Sequence, residues 1–168
     1  IAETGGSTSV AETGSTDTFT IVLNARPLSD VVLSISTSDS SETTVTSLLT
    51  FTNANWNTPQ TVTVTGVDDN IIDGTISSTL TISIVDAISD NDFDSVANQT
   101  VTATTTDNDV AGFTITQTGG STSVAETGTT DTFTIVLNAQ PASNVVLTVT
   151  SSDTGEATVN TPLTFTNA

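Results

Sequence analysis

The chain has 168 residues, with 19 acidic residues against a single basic one, Arg26, and a formal net charge of −18. This balance argues against binding to nucleic acid or to an anionic membrane surface, because both need Lys and Arg. The chain has no Cys and no His, which excludes disulfides, thiolate chemistry and a Ser-His-Asp nucleophile. No apolar run reaches the roughly 18 residues of a membrane span. We therefore expect neither membrane insertion nor enzymatic activity.

A long internal repeat organises the chain. Three stretches recur after 114 residues: GGSTSVAETG (5–14 and 119–128), DTFTIVLNA (17–25 and 131–139) and LTFTNA (49–54 and 163–168). We predict a complete β-sandwich repeat over 1–110, with the start of its first strand trimmed, and a truncated second copy, its strands A–D, over 111–168. The chain is thus expected to be a tandem repeat cut from a longer array.

Apolar residues alternate with Thr and Ser in the first unit, which is the period-2 pattern of strands that bury one face. In chain order this predicts seven strands: A in two pieces ending at 7–12, B at 17–24, C at 31–36, D at about 43–51, E at 60–66, F at 78–85 and G at 99–106. Seven short strands without helical periodicity predict an all-β fold, an antiparallel Ig-like sandwich. The single Trp, Trp56, is expected to cover the open end of the core.

Acidic residues gather at one pole of this predicted sandwich. Because successive strands run up and down, the AB, CD and EF loops and the end of strand G share a pole. That places seven carboxylates together, with Asp17 and Glu42 nearby: Glu12, Asp39, Asp68, Asp69, Asp73, Asp107 and Asp109. Two unit charges about 5 Å apart repel by roughly 3 kcal/mol at an effective dielectric near 20. An all-oxygen set suits a hard cation such as Ca²⁺, and the alternative is a set of solvated acidic loops.

Three of these motifs resemble the Calx-beta domain, a sandwich of about this size that binds calcium at one end. They are the Glu of VAETG, the acidic pair of VDDNIIDG after strand E, and the triplet that closes strand G, here TDND. The resemblance implies a set of Ca²⁺ ligands: Glu12, Asp39, Asp68, Asp69, Asp73, Asp107, Asn108 and Asp109. Asn108 stands where an acidic residue is common, so fewer or weaker ions are expected. Glu126 and Asp153 match Glu12 and Asp39 in the second copy, where we expect an empty or poorly occupied site.

The FG loop, ISDNDFDS at 88–95, is a further acidic stretch at the opposite pole. Asp90, Asp92 and Asp94 alternate there in a pattern like that of a calcium loop, but the glycine and the terminal Glu of that motif are missing. A solvated loop anchored by Phe93 is favoured over a second weak ion site, since a single segment rarely supplies a whole cage.

The sequence as a whole predicts a structural role. We expect a repeat of an extracellular, calcium-stiffened adhesin, fibre or filament of a bacterium, located at the cell surface. Its partners would be neighbouring repeats of the same chain and identical chains in a fibre. The cation would stiffen the joint to the next repeat, because TDND lies at the connector. The alternative function is a carbohydrate- or cell-binding β-sandwich module, which would expose aromatic residues on one face.

Overall fold

The computed structural model describes residues 1–167, which form two units. The first unit comprises residues 1–69 and 73–108, and the second comprises 70–72 and the residues from 109 onward. The first unit contains nine strands: β1 (Ala2–Glu3), β2 (Thr8–Ala11), β3 (Thr16–Ile21), β4 (Val31–Thr37), β5 (Thr43–Val45), β6 (Leu48–Phe51), β7 (Gln60–Gly66), β8 (Ile76–Ile84) and β9 (Gln99–Thr106). It also has 3-10 turns at Thr4–Gly6, Asp86–Ile88 and Asn91–Phe93. The prediction of an all-β fold is confirmed.

Two sheets make up the first unit. One has the order β1-β3-β7-β5 and the other the order β2-β9-β8-β4-β6. The predicted strands A and D each break in two and contribute one piece to each sheet, which gives nine strands where seven were predicted. Strand D breaks at Thr46 and Ser47, where the Thr46 N–H donates to the Thr63 carbonyl and the Ser47 carbonyl accepts from the Ile35 N–H. The sandwich is not wholly antiparallel, because β2 pairs with β9 in parallel.

The core of the first unit lies between these sheets and follows the alternating pattern. Along β7, Val62 and Val64 are buried while Thr61 is exposed. The fully buried apolar side chains come from both sheets: Phe19, Val31, Phe51, Val62, Val64, Leu80 and Ala103. Burial of each large apolar side chain contributes about 1.5–3 kcal/mol. Trp56 is half-buried near the end of β3, where its carbonyl accepts a hydrogen bond from the Leu23 N–H at 3.1 Å.

The second unit has strands but no comparable core. Its strands are β10 (Phe113–Gln117), β11 (Phe133–Leu137), β12 (Val145–Leu147) and β13 (Leu163–Phe165), in two antiparallel pairs, with a 3-10 turn at Thr118–Gly120. From residue 109 to residue 167 no side chain is buried. Within residues 1–167 no helix is long and apolar enough to cross a membrane.

Gly66 allows two strands from different sheets to approach closely. A Cβ atom placed on Gly66 would lie 2.1 Å from the carbonyl oxygen of Ala11, the last residue of β2. That oxygen belongs to the backbone and cannot move aside alone. The absence of a side chain at Gly66 thus brings the end of β2, and Glu12 after it, against the start of the EF loop.

Replacing Gly66 with Ala is therefore expected to destabilise the first unit by about 1–3 kcal/mol through overpacking. Thermal unfolding followed by circular dichroism measures the effect. Thr61→Ala, at an exposed position of the same strand, is the control and should change stability by less than about 0.5 kcal/mol. Equal melting temperatures for the Gly66→Ala and Thr61→Ala chains would contradict the close approach.

Candidate metal centre

The parallel pairing of β2 and β9 places Glu12 beside Asp107. Ala11 lies opposite Thr106 in this pair, so the residues that follow leave the sheet in the same direction. The Glu12 N–H donates to the Thr106 carbonyl at 3.1 Å and continues the ladder by one residue. Although it is an acid, Glu12 is only 1% exposed.

Three carboxylates from separate segments lie close together at Glu12. Glu12, Glu42 and Asp73 each offer an oxygen, and the three oxygens all lie within 4.8 Å of one another. Glu12 and Glu42 are buried, whereas Asp73 is exposed. Ca²⁺ binds its oxygens at about 2.3–2.6 Å, so two ligands of one ion lie up to roughly 5 Å apart. The spacing of the three oxygens therefore fits a shared cation.

Asp107, which follows β9, also lies close to Glu12. Its charge raises the pKa of Glu12. Asp107 is held by the EF loop, because its Oδ2 accepts hydrogen bonds from the N–H groups of Asp73 at 3.1 Å and Gly74 at 2.9 Å. Glu12 is therefore close to carboxylates of both the EF loop and the end of β9.

Glu42 is the residue of the site that the sequence-based ligand set omitted. It is 4% exposed, and in the described chain, residues 1–167, its buried Oε2 has no hydrogen-bond partner. A buried carboxylate oxygen without a donor is costly, and in a native structure a bound water, a proton or an ion usually compensates it. A sequence signal existed, since Glu42 stands just before a strand at the acidic pole, but no pattern in the sequence indicates that its side chain is buried.

The electrostatics of the site disfavour charge on both buried acids. Burial raises the pKa of Glu12, and the charges of Asp107, Asp69 and Asp73 raise it further, while the hydrogen bond from the Asn108 N–H lowers it. Burial likewise raises the pKa of Glu42, with added repulsion from Asp73, Glu12, Asp39 and Asp69. A divalent cation would reverse both effects, because it stabilises the ionised carboxylates.

The other predicted ligands lie around this centre in different ways. Asp68 and Asn108 bind each other, because the Asn108 Nδ2 donates to Asp68 Oδ1 at 2.9 Å, and the Asn108 N–H donates to Glu12 Oε2 at 3.2 Å. Asp69 is close enough to affect both buried acids. The Asp39 carboxylate accepts hydrogen bonds from the N–H and hydroxyl of Ser41, which lower its pKa. Asp39 thus caps its own turn and is not part of the group formed by Glu12, Glu42 and Asp73.

The matching acids of the second unit are not gathered in this way. Glu126 is exposed, and so is Asp153, whose Oδ1 accepts a hydrogen bond from the Gly155 N–H at 3.0 Å. Neither belongs to a carboxylate group found in the part of the chain that the structure describes.

Asp90, in the FG loop at the opposite pole, has a clear structural role. It is 6% exposed, and its Oδ2 accepts hydrogen bonds from the N–H groups of Leu28 at 2.6 Å and Ser29 at 2.9 Å. Its Oδ1 accepts from the Asp92 N–H at 3.1 Å. These bonds lower the pKa of Asp90. The carboxylate therefore ties the BC connection to the FG loop, while Asp92 and Asp94 are exposed.

Comparison with known proteins found only distant structural similarity. No protein-family model matches the chain. No curated protein matches it either. A structure of SSP-19, an MSP-domain protein like family member in Caenorhabditis elegans, is 17% identical with a TM-score of 0.42, over 64% of this chain and 98% of that one.

Two further solved structures are similar at the same level. The E. coli chaperone DraB is 9% identical with a TM-score of 0.44, over 64% of this chain and 55% of that one. CBD12 from CALX1.2 is 15% identical with a TM-score of 0.42, over 68% of this chain and 47% of that one.

Glu42→Gln should stabilise the chain in the absence of calcium and weaken its binding of calcium. Without calcium the variant is expected to melt at a higher temperature than the original chain, because it removes a buried charge without a donor. With calcium we expect at least a tenfold loss of affinity, since a ligand oxygen is replaced by an amide. Melting curves and calorimetric titration measure both effects. Asp94→Asn removes the same charge at the opposite pole and is the control. If the Glu42→Gln and Asp94→Asn chains bind calcium with equal affinity, Glu42 is not a calcium ligand.

Asp90→Asn should lower the melting temperature by several degrees, since three N–H groups lose a charged acceptor. The lowered pKa of Asp90 means that its contribution is present above the ordinary value of 3.8 and is lost as the pH falls through the folded-state pKa. The difference in melting temperature from the original chain should hence be constant above pH 3.8 and shrink below it. Asp92→Asn is the matched control and should differ little at any pH. A difference independent of pH would refute this role of Asp90.

Proposed function

We propose that the first unit is a calcium-binding structural repeat of an extracellular bacterial adhesin, fibre or filament. The observation that carries the proposal is the buried Glu42 Oε2, which has no hydrogen-bond donor in residues 1–167. An oxygen of Glu42 also lies within 4.8 Å of an oxygen of the buried Glu12. Two buried acids of like charge are unstable together unless a proton or a cation compensates the charge. The only Lys or Arg of the chain, Arg26, follows the far end of β3, where its Nε donates to the Asn53 carbonyl at 3.1 Å.

The donor set fits calcium better than other common cations. All candidate ligands are oxygens, which suits a hard cation, and the chain has neither His nor Cys to favour zinc. The oxygens come from irregular loops, which calcium tolerates better than magnesium does. Glu12, Glu42, Asp73 and Asp107 would hold the ion, with Asp69 and Asp109 as further acidic candidates. The ion would supply the positive charge that these carboxylates lack.

A structural role follows from where these ligands lie in the chain. Asp107 and Asp109 flank the point at which the first unit ends, so an ion bound to them would restrict the connector. The recurrence of long stretches such as GGSTSVAETG and DTFTIVLNA supports a repeated unit rather than a single binding domain. We infer that the ion stiffens this array, and that neighbouring repeats and identical chains are the partners of the protein.

The alternative of a carbohydrate- or cell-binding module is less well supported. Such a module needs exposed aromatic rings for stacking on its ligand. In the first unit Phe19 and Phe51 are fully buried, and Trp56 and Phe93 are half-buried. These rings serve the core and its edges.

Thermal unfolding with calcium and with a chelator tests the proposal. If calcium binds only the folded chain, a free concentration of about 100 times the dissociation constant should add roughly 2.7 kcal/mol to the free energy of unfolding. A Glu12→Gln, Glu42→Gln chain should lose most of this gain, and magnesium at the same concentration should give less. A melting temperature that does not respond to calcium would overturn the proposal.

Nuclear magnetic relaxation tests separately whether calcium stiffens the connector between the two units. With calcium bound, we expect amides of the two units to report the same rotational correlation time, and with a chelator we expect different ones. The control is the Glu12→Gln, Glu42→Gln chain. Its two units should show different rotational correlation times both with calcium and with a chelator. Stabilisation by calcium without this change in relaxation would support the ion site and contradict the stiffening role.

A further inference from the structure

β2 and β9 are neighbours in one sheet and run in the same direction. Thr8 lies opposite Ala103, and Ala11 lies opposite Thr106. Tension along the chain pulls β2 backward from its first residue and β9 forward from its last residue. Because the strands are parallel, this tension makes them slide past each other, and all the bonds between them are loaded at once. An antiparallel pair that is pulled apart at one end loses its bonds one after another.

β9 holds β2 by its backbone and by its side chains. The backbone ladder continues past the end of β2, because the Glu12 N–H donates to the Thr106 carbonyl at 3.1 Å. The Thr106 hydroxyl donates to the Val10 carbonyl at 3.3 Å. The Thr104 hydroxyl donates to the Thr8 carbonyl at 3.5 Å. The two hydroxyls therefore add to the resistance of the ladder against sliding.

The other edge of β2 is tied to the residues that lead into and form β3. β2 lies at the edge of its sheet, where backbone N–H groups need other acceptors. The Ser9 N–H donates to Asp17 Oδ2 at 2.8 Å, and the Ala11 N–H donates to Ser15 Oγ at 2.7 Å. Asp17 belongs to β3, which is part of the other sheet. β2 is thus fixed along both of its edges.

Loss of β2 from the sheet would open the core of the first unit. Thr8 and Val10 are both buried, and Val10 belongs to the apolar core. Gly66 of β7 packs directly against the Ala11 carbonyl. The sliding of this one short strand is therefore a step that admits water to the core.

We propose that the β2–β9 pair is the element by which the first unit bears tension along the chain. The pair is a clamp loaded in shear, and its rupture sets the force at which the unit unfolds. A second part of this inference rests on the proposed function. Glu12 and Asp107 directly follow the two strands, so a calcium ion bound by both adds a bond to the same clamp and raises its rupture force.

Single-molecule pulling in a chelator tests the clamp without the ion. The chain has no cysteine, so two introduced cysteines define the points of attachment. Ser7→Cys with Val110→Cys, both at exposed positions, slides β2 against β9. Thr75→Cys with Val110→Cys peels β9 from β8, because these strands are antiparallel and Ile76 lies opposite Thr105. The sliding geometry should need a mean unfolding force about twofold higher or more, since its bonds break together. Equal forces would overturn the proposal.

Valine substitutions in β9 test whether its bonds to β2 set this force. Thr104→Val, Thr106→Val removes both hydroxyl bonds and keeps the β-branched shape. The double variant should lower the sliding force and change the peeling force less. The matched control is Thr100→Val, Thr102→Val, at exposed positions of the same strand ahead of its pairing with β2. Equal sliding forces for the two double variants would contradict the role of the hydroxyl bonds.

Pulling in calcium tests the contribution of the ion. The sliding force should rise, and the rise should be absent from the Glu12→Gln, Glu42→Gln chain. A higher melting temperature in calcium without a higher sliding force would refute this part of the inference and leave the calcium site itself intact. If calcium changes neither quantity, the proposed function fails. The comparison of sliding with peeling in a chelator then still decides whether β2 and β9 form the clamp.

Discussion

The structure of the first unit depends on how it accommodates negative charge that has no positive side chain beside it. Glu12 and Glu42 are buried at the edge of the core, 1% and 4% exposed, and their oxygens lie within 4.8 Å of each other and of Asp73. Apolar packing holds the strands that carry them, so the acids cannot separate without loss of core contacts. The arrangement is favourable when a cation or protons compensate the charge.

Backbone geometry explains why these acids meet. Parallel pairing of β2 with β9 makes Glu12 and Asp107 neighbours, although they are far apart in sequence. The contact between Gly66 and the end of β2 then brings the EF loop to the same place. The site thus forms because the ends of β2, β7 and β9 lie side by side. The loops that carry the acids need little regular structure of their own.

Much of this fold follows from the sequence, and the exceptions have physical reasons. β7 at Gln60–Gly66 and β9 at Gln99–Thr106 have the predicted bounds, because Val or Ala alternates with Thr along most of each strand. The break in strand D was not predicted, since its apolar residues continue across it and only the backbone bonds of Thr46 and Ser47 reveal the switch between sheets. Glu42 was placed nearby but not among the ligands, because no pattern in the sequence indicates that its side chain is buried.

The two poles show that an acidic residue acquires its role from the donors around it. Asp90 is almost as buried as Glu42, yet it accepts three backbone N–H bonds and its pKa is lowered. Glu42 has a buried oxygen without a donor in residues 1–167, and its pKa is raised. Hydrogen bonds satisfy the first carboxylate, whereas the second keeps a buried oxygen without a donor in residues 1–167. Composition alone counts both as acids of a strongly negative chain, and only the hydrogen bonds distinguish a structural carboxylate from a candidate ligand.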